Sequence, residues 1–240
     1  VLRIPIWGGS YLPRHQVIVY DMVLQQDMFY KGSAILSYTV RYPYFSSDKY
    51  QNALDRINHY YRTWASTYVN TYINKLFQSA MVDYEYAVAN NFPVRPYEVV
   101  TIYDVTYNRD CVLSLYFDRY EYTGGAHGMT LRSSDSWNIA SSSPIRLNDL
   151  FLIPDDVYAF VTDAIVEQID QMTMAKTEDF PYFENYEALV KEYFNPKSFY
   201  INNRGIVVYY QLYEIAPYVS GIPEFLLPYG IGGPIILRYC

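Results

Sequence analysis

Cysteine and histidine, the residues that most often announce chemistry, are scarce in this sequence of 240 residues, which has two of the first and three of the second. Cys111 and Cys240 make neither a metal spacing nor a CxxC redox pair, so a free, buried Cys111 is the expectation, and so few thiols leave the compartment open. His15, His59 and His127 lie far apart, with no partner at ligand spacing on a shared element. No metal or cofactor is therefore expected. The HExxH, GxSxG, Walker and GxGxxG patterns are all missing, which removes the commonest hydrolase and nucleotide-binding readings. Positive charge is short as well: 18 Lys and Arg against 25 Asp and Glu leave a net charge of -7 and a pI near 4.9. Nucleic acid is excluded as a partner for want of a basic footprint. No apolar run reaches the roughly 18 residues of a membrane span, and a hydrophobic content of 51% excludes disorder. The sequence opens at Val1 without a basic segment and apolar stretch, so any signal peptide or membrane anchor is expected to lie outside it. What is abundant is tyrosine, with 30 copies.

Periodicity organises the chain. Gln16 to Met28 and Ser33 to Tyr42 read as strands around a Lys31-Gly32 turn. Ser46 or Ser47 is placed to cap a helix starting at Asp48, and Tyr50, Leu54, Ile57, Tyr61, Trp64 and Tyr68 mark its apolar stripe. The pattern continues toward Asn90, which predicts a long helix with a break near Ser79 to Tyr84 and a stop at Asn90-Asn91-Phe92-Pro93. Val99 to Tyr107, Cys111 to Tyr122 and Met129 to Ile139 predict an antiparallel meander. After a Ser-rich turn come a helical turn at Leu147 to Phe151, a helix from Pro154 to about Met174, and another from Asn185 to Phe194. Phe199 to Ile201 and Ile206 to Tyr213 flank the turn Asn202 to Gly205, and Glu224 to Leu227 and Pro234 to Arg238 complete the strands. The class is α+β with antiparallel sheets, a long amphipathic helix in the first half and two shorter helices in the second. Two domains are expected, 1–130 and 131–240.

Two irregular runs concentrate the binding potential. Gly124, Gly125, Ala126, His127 and Gly128 follow a strand, and glycines at this density permit either positive φ or close approach. One reading is a tight loop in which His127 bonds a neighbouring carbonyl. The other is a loop pressed on a ligand, with His127 as a tip able to change charge between about pH 5 and 8. From Tyr213 to Glu224, two prolines and a glycine rigidify a turn at Pro217 and Tyr218, where the tyrosine is either half buried or an aromatic anchor for a partner. Most other tyrosines fall at core periodicity, where a ring can bury while its hydroxyl reaches out. The adjacent acids Asp155-Asp156 and Glu178-Asp179 are accounted for by a helix N-terminus and a solvated loop.

Tyr122 to Thr130 (YTGGAHGMT), Leu147 to Phe151 (LNDLF) and Phe199 to Tyr229 (FYINNRGIVVYYQLYEIAPYVSGIPEFLLPY) resemble the extracytoplasmic region of the lysozyme-binding anti-sigma-V factors of Gram-positive bacteria. The first half is also similar to a domain that precedes the catalytic domain of some peptidoglycan deacetylases. The resemblance implies an extracytoplasmic α+β module, secreted or membrane-anchored, that binds rather than catalyses. Its implied partner is lysozyme or another basic wall-active protein, met through Gly124 to Gly128 with Pro217 and Tyr218. Peptidoglycan or another carbohydrate is the alternative partner, favoured by the tyrosine content. The membrane helix and sigma-binding segment of those receptors are not in this sequence.

Overall fold

The computed structural model describes residues 4–5, 17–152, 156–174, 181–230 and 233–240. Strand β1 (Ile4–Pro5) is followed by a hairpin of β2 (Ile18–Tyr30) and β3 (Ser33–Ser46). Lys31 and Gly32 take φ of 48° and 84°, the paired positive values of a tight hairpin turn. Helix α1 (Gln51–Thr67), a π-helical turn (Tyr68–Ile73) and α2 (Asn74–Ala89) then form one 39-residue helix. The helix does not begin at Asp48. Gln51 organises its start instead: Oε1 accepts from the Ser47 N–H at 3.2 Å and from the Ser46 hydroxyl at 3.3 Å. Nor does the helix break at Ser79 to Tyr84; its irregularity is the π turn further upstream. The C-terminus is as expected, with Asn91 at φ 56° and the Phe92 N–H donating to Ala87 O at 2.8 Å.

Strands β4 (Tyr97–Arg109), β5 (Val112–Tyr122), β6 (Met129–Asn138) and β7 (Ser143–Pro144) complete a seven-stranded sheet whose strands pair in chain order. One pair corrects the all-antiparallel expectation: β3 and β4 run parallel, Leu36 opposite Tyr97, because the long helix carries the chain back to the end from which β3 started. A 3₁₀ turn (Leu147–Leu150), α3 (Val157–Met174) and α4 (Tyr186–Glu192) lead to a three-stranded antiparallel sheet of β8 (Phe199–Ile201), β9 (Gly205–Tyr209) and β10 (Glu224–Pro228). The expected strand at Pro234 to Arg238 lies outside either sheet, without regular secondary structure. Backbone bonds hold that tail, from the Ile235 N–H to Leu150 O, from the Tyr239 N–H to Asp110 O and from the Gly230 N–H to Pro234 O.

The chain divides into two compact units, Val1–Tyr103 with Phe117–Thr130, and Asp104–Tyr116 with Leu131–Cys240. In the first, α1 lies on β3, and Tyr61, fully buried, contacts the rings of Phe45 and Phe117 at 6.0 and 5.5 Å between centroids. Buried Asn58 fastens this packing, accepting from the Phe45 N–H at 2.7 Å and donating to Phe45 O at 2.8 Å. A polar side chain is tolerated there because both of its hydrogen-bonding functions are satisfied. In the second unit, Val161, Ile165 and Ile169 of α3 pack with Ile206, Val208 and Phe225 of the small sheet. Asp156 caps α3 by accepting from the Tyr158 and Ala159 N–H groups, each at 3.0 Å. Pro154 and Asp155 lie outside the described residues, as do His15, Gln16, Glu178 and Asp179.

Cys111 is not a free thiol. It is buried as expected, but its sulfur is bonded to that of Cys240, with 5.6 Å between the Cα atoms. A separation of 129 residues concealed the pair, since sequence spacing says nothing about cysteines joined by tertiary structure.

Candidate binding cleft

The glycine loop between β5 and β6 is built by its own unit. Gly124 has φ of 84°, a region that strains other residues, and its carbonyl accepts from Arg95 Nη1 at 2.9 Å. The Gly125 carbonyl accepts from the same nitrogen at 3.4 Å and from the Tyr122 hydroxyl at 3.2 Å. His127 donates from Nδ1 to Gly128 O at 3.0 Å, so the carbonyl-bonded reading of this side chain is the one observed. Gly128 is buried against Tyr120: a Cβ there would sit 2.3 Å from the ring. The close approach foreseen for these glycines is thus made by Arg95, Tyr97 and Tyr120 of the same unit. Gly125, Ala126 and His127 remain exposed at the tip.

One wall of this loop opens on a cleft of about 440 Å³. Thr123 and Gly124 form one side, Ala80, Asp83, Tyr84, Tyr86 and Ala87 of α2 another, and the segment from Phe92 to Arg95 a third. The helix stop explains the shape: Asn91 in the left-handed region turns the chain so that Phe92 comes back beside Tyr86, ring centroids 6.0 Å apart. Both rings stay largely open to solvent, Tyr86 at 63% and Phe92 at 56%. Large aromatics in that state form an apolar patch, whereas isolated exposed side chains are ordinary.

The cleft is lined by polar as well as apolar groups. Asp83 Oδ2 accepts from the Tyr97 hydroxyl at 2.5 Å. Burial, with that bond to a carboxylate, pushes the Tyr97 phenol up to about 12, so at neutral pH it stays protonated as a donor to Asp83. Asp83 Oδ1 makes no hydrogen bond to the described residues, and Arg95 uses only Nη1, on the two loop carbonyls. Beside the hydroxyls of Tyr84 and Thr123, the cleft therefore presents a carboxylate acceptor, a guanidinium with donors to spare and the aromatic faces of Tyr86 and Phe92.

The other sequence candidate belongs to the second unit. Pro217 and Tyr218 open a 3₁₀ turn (Tyr218–Ser220), with Gly221 at φ 69° beyond it. Tyr218 is half buried, its ring 5.7 Å from that of Tyr213, and Val219, 91% exposed, is the side chain the turn displays. His59 sits on the exposed face of α1 beside Arg62 and Thr63. Among the described residues no three His, Cys, Asp or Glu side chains gather as a metal site would require. No described helix is long and apolar enough to cross a membrane.

Sequence reasoning anticipated Gly124 but missed Asp83, Tyr86, Phe92 and Arg95. In the sequence Phe92 stands out only as part of a helix stop. A signal for Tyr86 does exist, since it lies off the buried stripe that Ile73, Ala80 and Ala87 continue into α2, where an aromatic has no core to enter.

Residues 30–130 match the family described as Deacetylase PdaC, and residues 148–230 match the Protein of unknown function family DUF3298. Peptidoglycan-N-acetylmuramic acid deacetylase PdaC of Bacillus subtilis (strain 168) is 23% identical over 185 residues, covering 75% of this chain and 34% of that protein. The chain thus spans about a third of the length of this curated relative. A DUF3298 family structure from Bacteroides fragilis NCTC 9343 superposes with a TM-score of 0.72 at 20% identity, over 90% of this chain and 91% of that one. A DUF3298 family protein from Pseudomonas aeruginosa PAO1 gives 0.54 at 18%, over 89% and 93%. At such identities the two structures speak to fold alone. The chain carries, in order, a region matching the PdaC family and a region matching DUF3298.

Proposed function

We propose that this protein is an extracytoplasmic binding module of the cell envelope that holds a wall saccharide in the cleft of its first unit. The observation that carries the reading is the exposed Tyr86–Phe92 pair flanking Asp83 and Arg95 in a 440 Å³ cleft. Pyranose rings present patches of C–H that pack on aromatic faces, and their hydroxyls suit one acceptor and one multiple donor. The matched relative is a peptidoglycan deacetylase by name, and its likeness to this chain includes the region that builds the cleft. Binding is favoured over catalysis because Asp83 is engaged by a tyrosine that remains a phenol, with no nucleophile and base in contact. The Cys111–Cys240 disulfide supports an oxidising compartment, since such bonds persist outside the reducing cytosol.

Sedimentation with purified insoluble peptidoglycan tests the reading. Replacing Tyr86 and Phe92 together by Ala should weaken retention about tenfold, the effect of losing about 1.4 kcal/mol of contact, with the circular dichroism of the fold unchanged. Undiminished retention of that double variant overturns it. A basic wall-active protein such as lysozyme is the second reading, supported by the net charge of -7, which steers cations, and by the exposed Ala126 and His127 tip. Calorimetric titration with lysozyme at low salt tests it, and silence there removes it.

A further inference from the structure

Arg95 is held in place by backbone, and its charge is not neutralised by any described residue. Nη1 donates to two successive carbonyls of the glycine loop, at 2.9 and 3.4 Å, and Gly124 adopts its φ of 84° with Arg95 Cβ lying 3.5 Å from where its own Cβ would be. The loop therefore fixes the guanidinium at the wall of the cleft. Among the described residues no carboxylate is in ion-pair contact with it, whereas Lys31, Arg41, Arg132 and Lys191 are paired with Glu85, Asp21, Glu224 and Asp163. Asp83 lines the same cleft, yet its bonded oxygen is engaged by Tyr97 rather than by Arg95. A guanidinium has five N–H donors, and here Nε and both hydrogens of Nη2 make no bond to the described residues. That edge, one Nε–H beside one Nη2–H, is the fork that meets the two oxygens of a carboxylate. Because two carbonyls already restrain the side chain, little rotamer freedom remains to be lost on binding.

We propose that the cleft selects an acidic saccharide, a pyranose bearing a carboxylate substituent, with the carboxylate on the Nε–Nη2 edge of Arg95 and the ring against Tyr86 and Phe92. Asp83 Oδ1 accepts a hydroxyl from the opposite side of the ring. This deepens the saccharide reading above and rests on it, but a neutral sugar would satisfy that reading equally well.

N-acetylmuramic acid and N-acetylglucosamine differ only in a lactyl ether that carries a carboxylate, so they form the diagnostic pair. Heteronuclear NMR titration of the full chain with each should show the acidic sugar binding about tenfold more tightly, the increment of a charge-assisted bidentate contact in a partly open site. Arg95→Gln should abolish the preference, so that the variant binds N-acetylmuramic acid no more tightly than it binds N-acetylglucosamine, while Tyr86→Ala should weaken both sugars and keep the preference. Arg95→Lys keeps the charge without the fork and should recover only part of the preference. Equal binding of both sugars by the wild-type chain, or a preference that survives Arg95→Gln, overturns the acidic selectivity and leaves the saccharide reading intact. Failure of both sugars to bind, with wall sedimentation indifferent to the Tyr86 and Phe92 substitutions, overturns both.

Discussion

Single positions differ in what they tolerate, and the glycines separate the cases. Gly128 lies under the far edge of the Tyr120 ring, a neighbour able to rotate away. Gly205 lies against backbone: a Cβ there would meet Leu227 O at 2.0 Å and Pro228 Cα at 2.8 Å, across the β9–β10 pairing in which Gly205 faces Pro228. Backbone in a sheet cannot step aside without breaking its ladder. Gly205→Ala should therefore cost about 3 kcal/mol in urea denaturation, at the upper end for overpacking. A loss below about 1 kcal/mol would mean that the two strands are further apart than they stand here. The asymmetry could not be read from sequence, where Gly205 ends an ordinary turn signal and the glycine loop looks the more demanding of the two. Nor could the unpaired edge of Arg95. Its isolation depends on which acids fold toward it, and none within a few residues reveals that.

At the scale of elements, the long helix shows what periodicity reveals and where it stops. The stripe through Leu54, Ile57 and Tyr61 was legible because 3.6-residue spacing is local, and so was the asparagine stop. The π turn was not, because it answers to what the helix packs on. Eight residues separate buried Ala65 from buried Ile73. In a straight α-helix that interval rotates about 80° past two full turns, which would swing the second half of the stripe off the sheet. The wider π turn absorbs the excess residue. Deleting Asn70, exposed within it, should restore a continuous α-helix with both halves of the stripe aligned. The expected loss is about 1 kcal/mol, chiefly the 2.7 Å bond from Tyr72 to Glu121. Deleting exposed Val82 instead should cost more than about 3 kcal/mol, since it turns Ala87 some 100° away from its buried position. Equal costs for the two deletions, measured by thermal unfolding, would show that the π turn does not set the phase. The parallel β3–β4 pair escaped the sequence for a related reason: strand direction is decided by the path of the helix between them, and three successive strand patterns look alike in either direction.

The whole molecule is marked by its tyrosines and by its covalent closure. Burial, with a bonded or nearby carboxylate in each case, pushes the phenols of Tyr68, Tyr72 and Tyr97 up to about 12, and burial raises those of Tyr200, Tyr210 and Tyr229 as well. In the unfolded chain these groups ionise near pH 10. A folded value above the unfolded one means that the folded state keeps its proton longer, so the stabilisation is complete below about pH 10 and is lost as pH rises toward 12. Ultraviolet titration of the 30 phenols should accordingly show an early class ionising in the intact fold and a late class appearing only as near-ultraviolet dichroism collapses. A single class titrating near pH 10 with the fold intact would contradict the burial of these rings.

The Cys111–Cys240 bond, introduced above as a tie between two distant residues, also makes everything between them a closed ring. The glycine loop, α3, α4 and the small sheet all lie on that ring, together with the displayed side chain of Val219. A protease that cuts the chain once between the two cysteines opens the circle without releasing a piece. The nicked protein gains one water and loses no piece, and its fragments part only after reduction. A chain closed in this way can be cleaved at a surface turn and still remain one molecule.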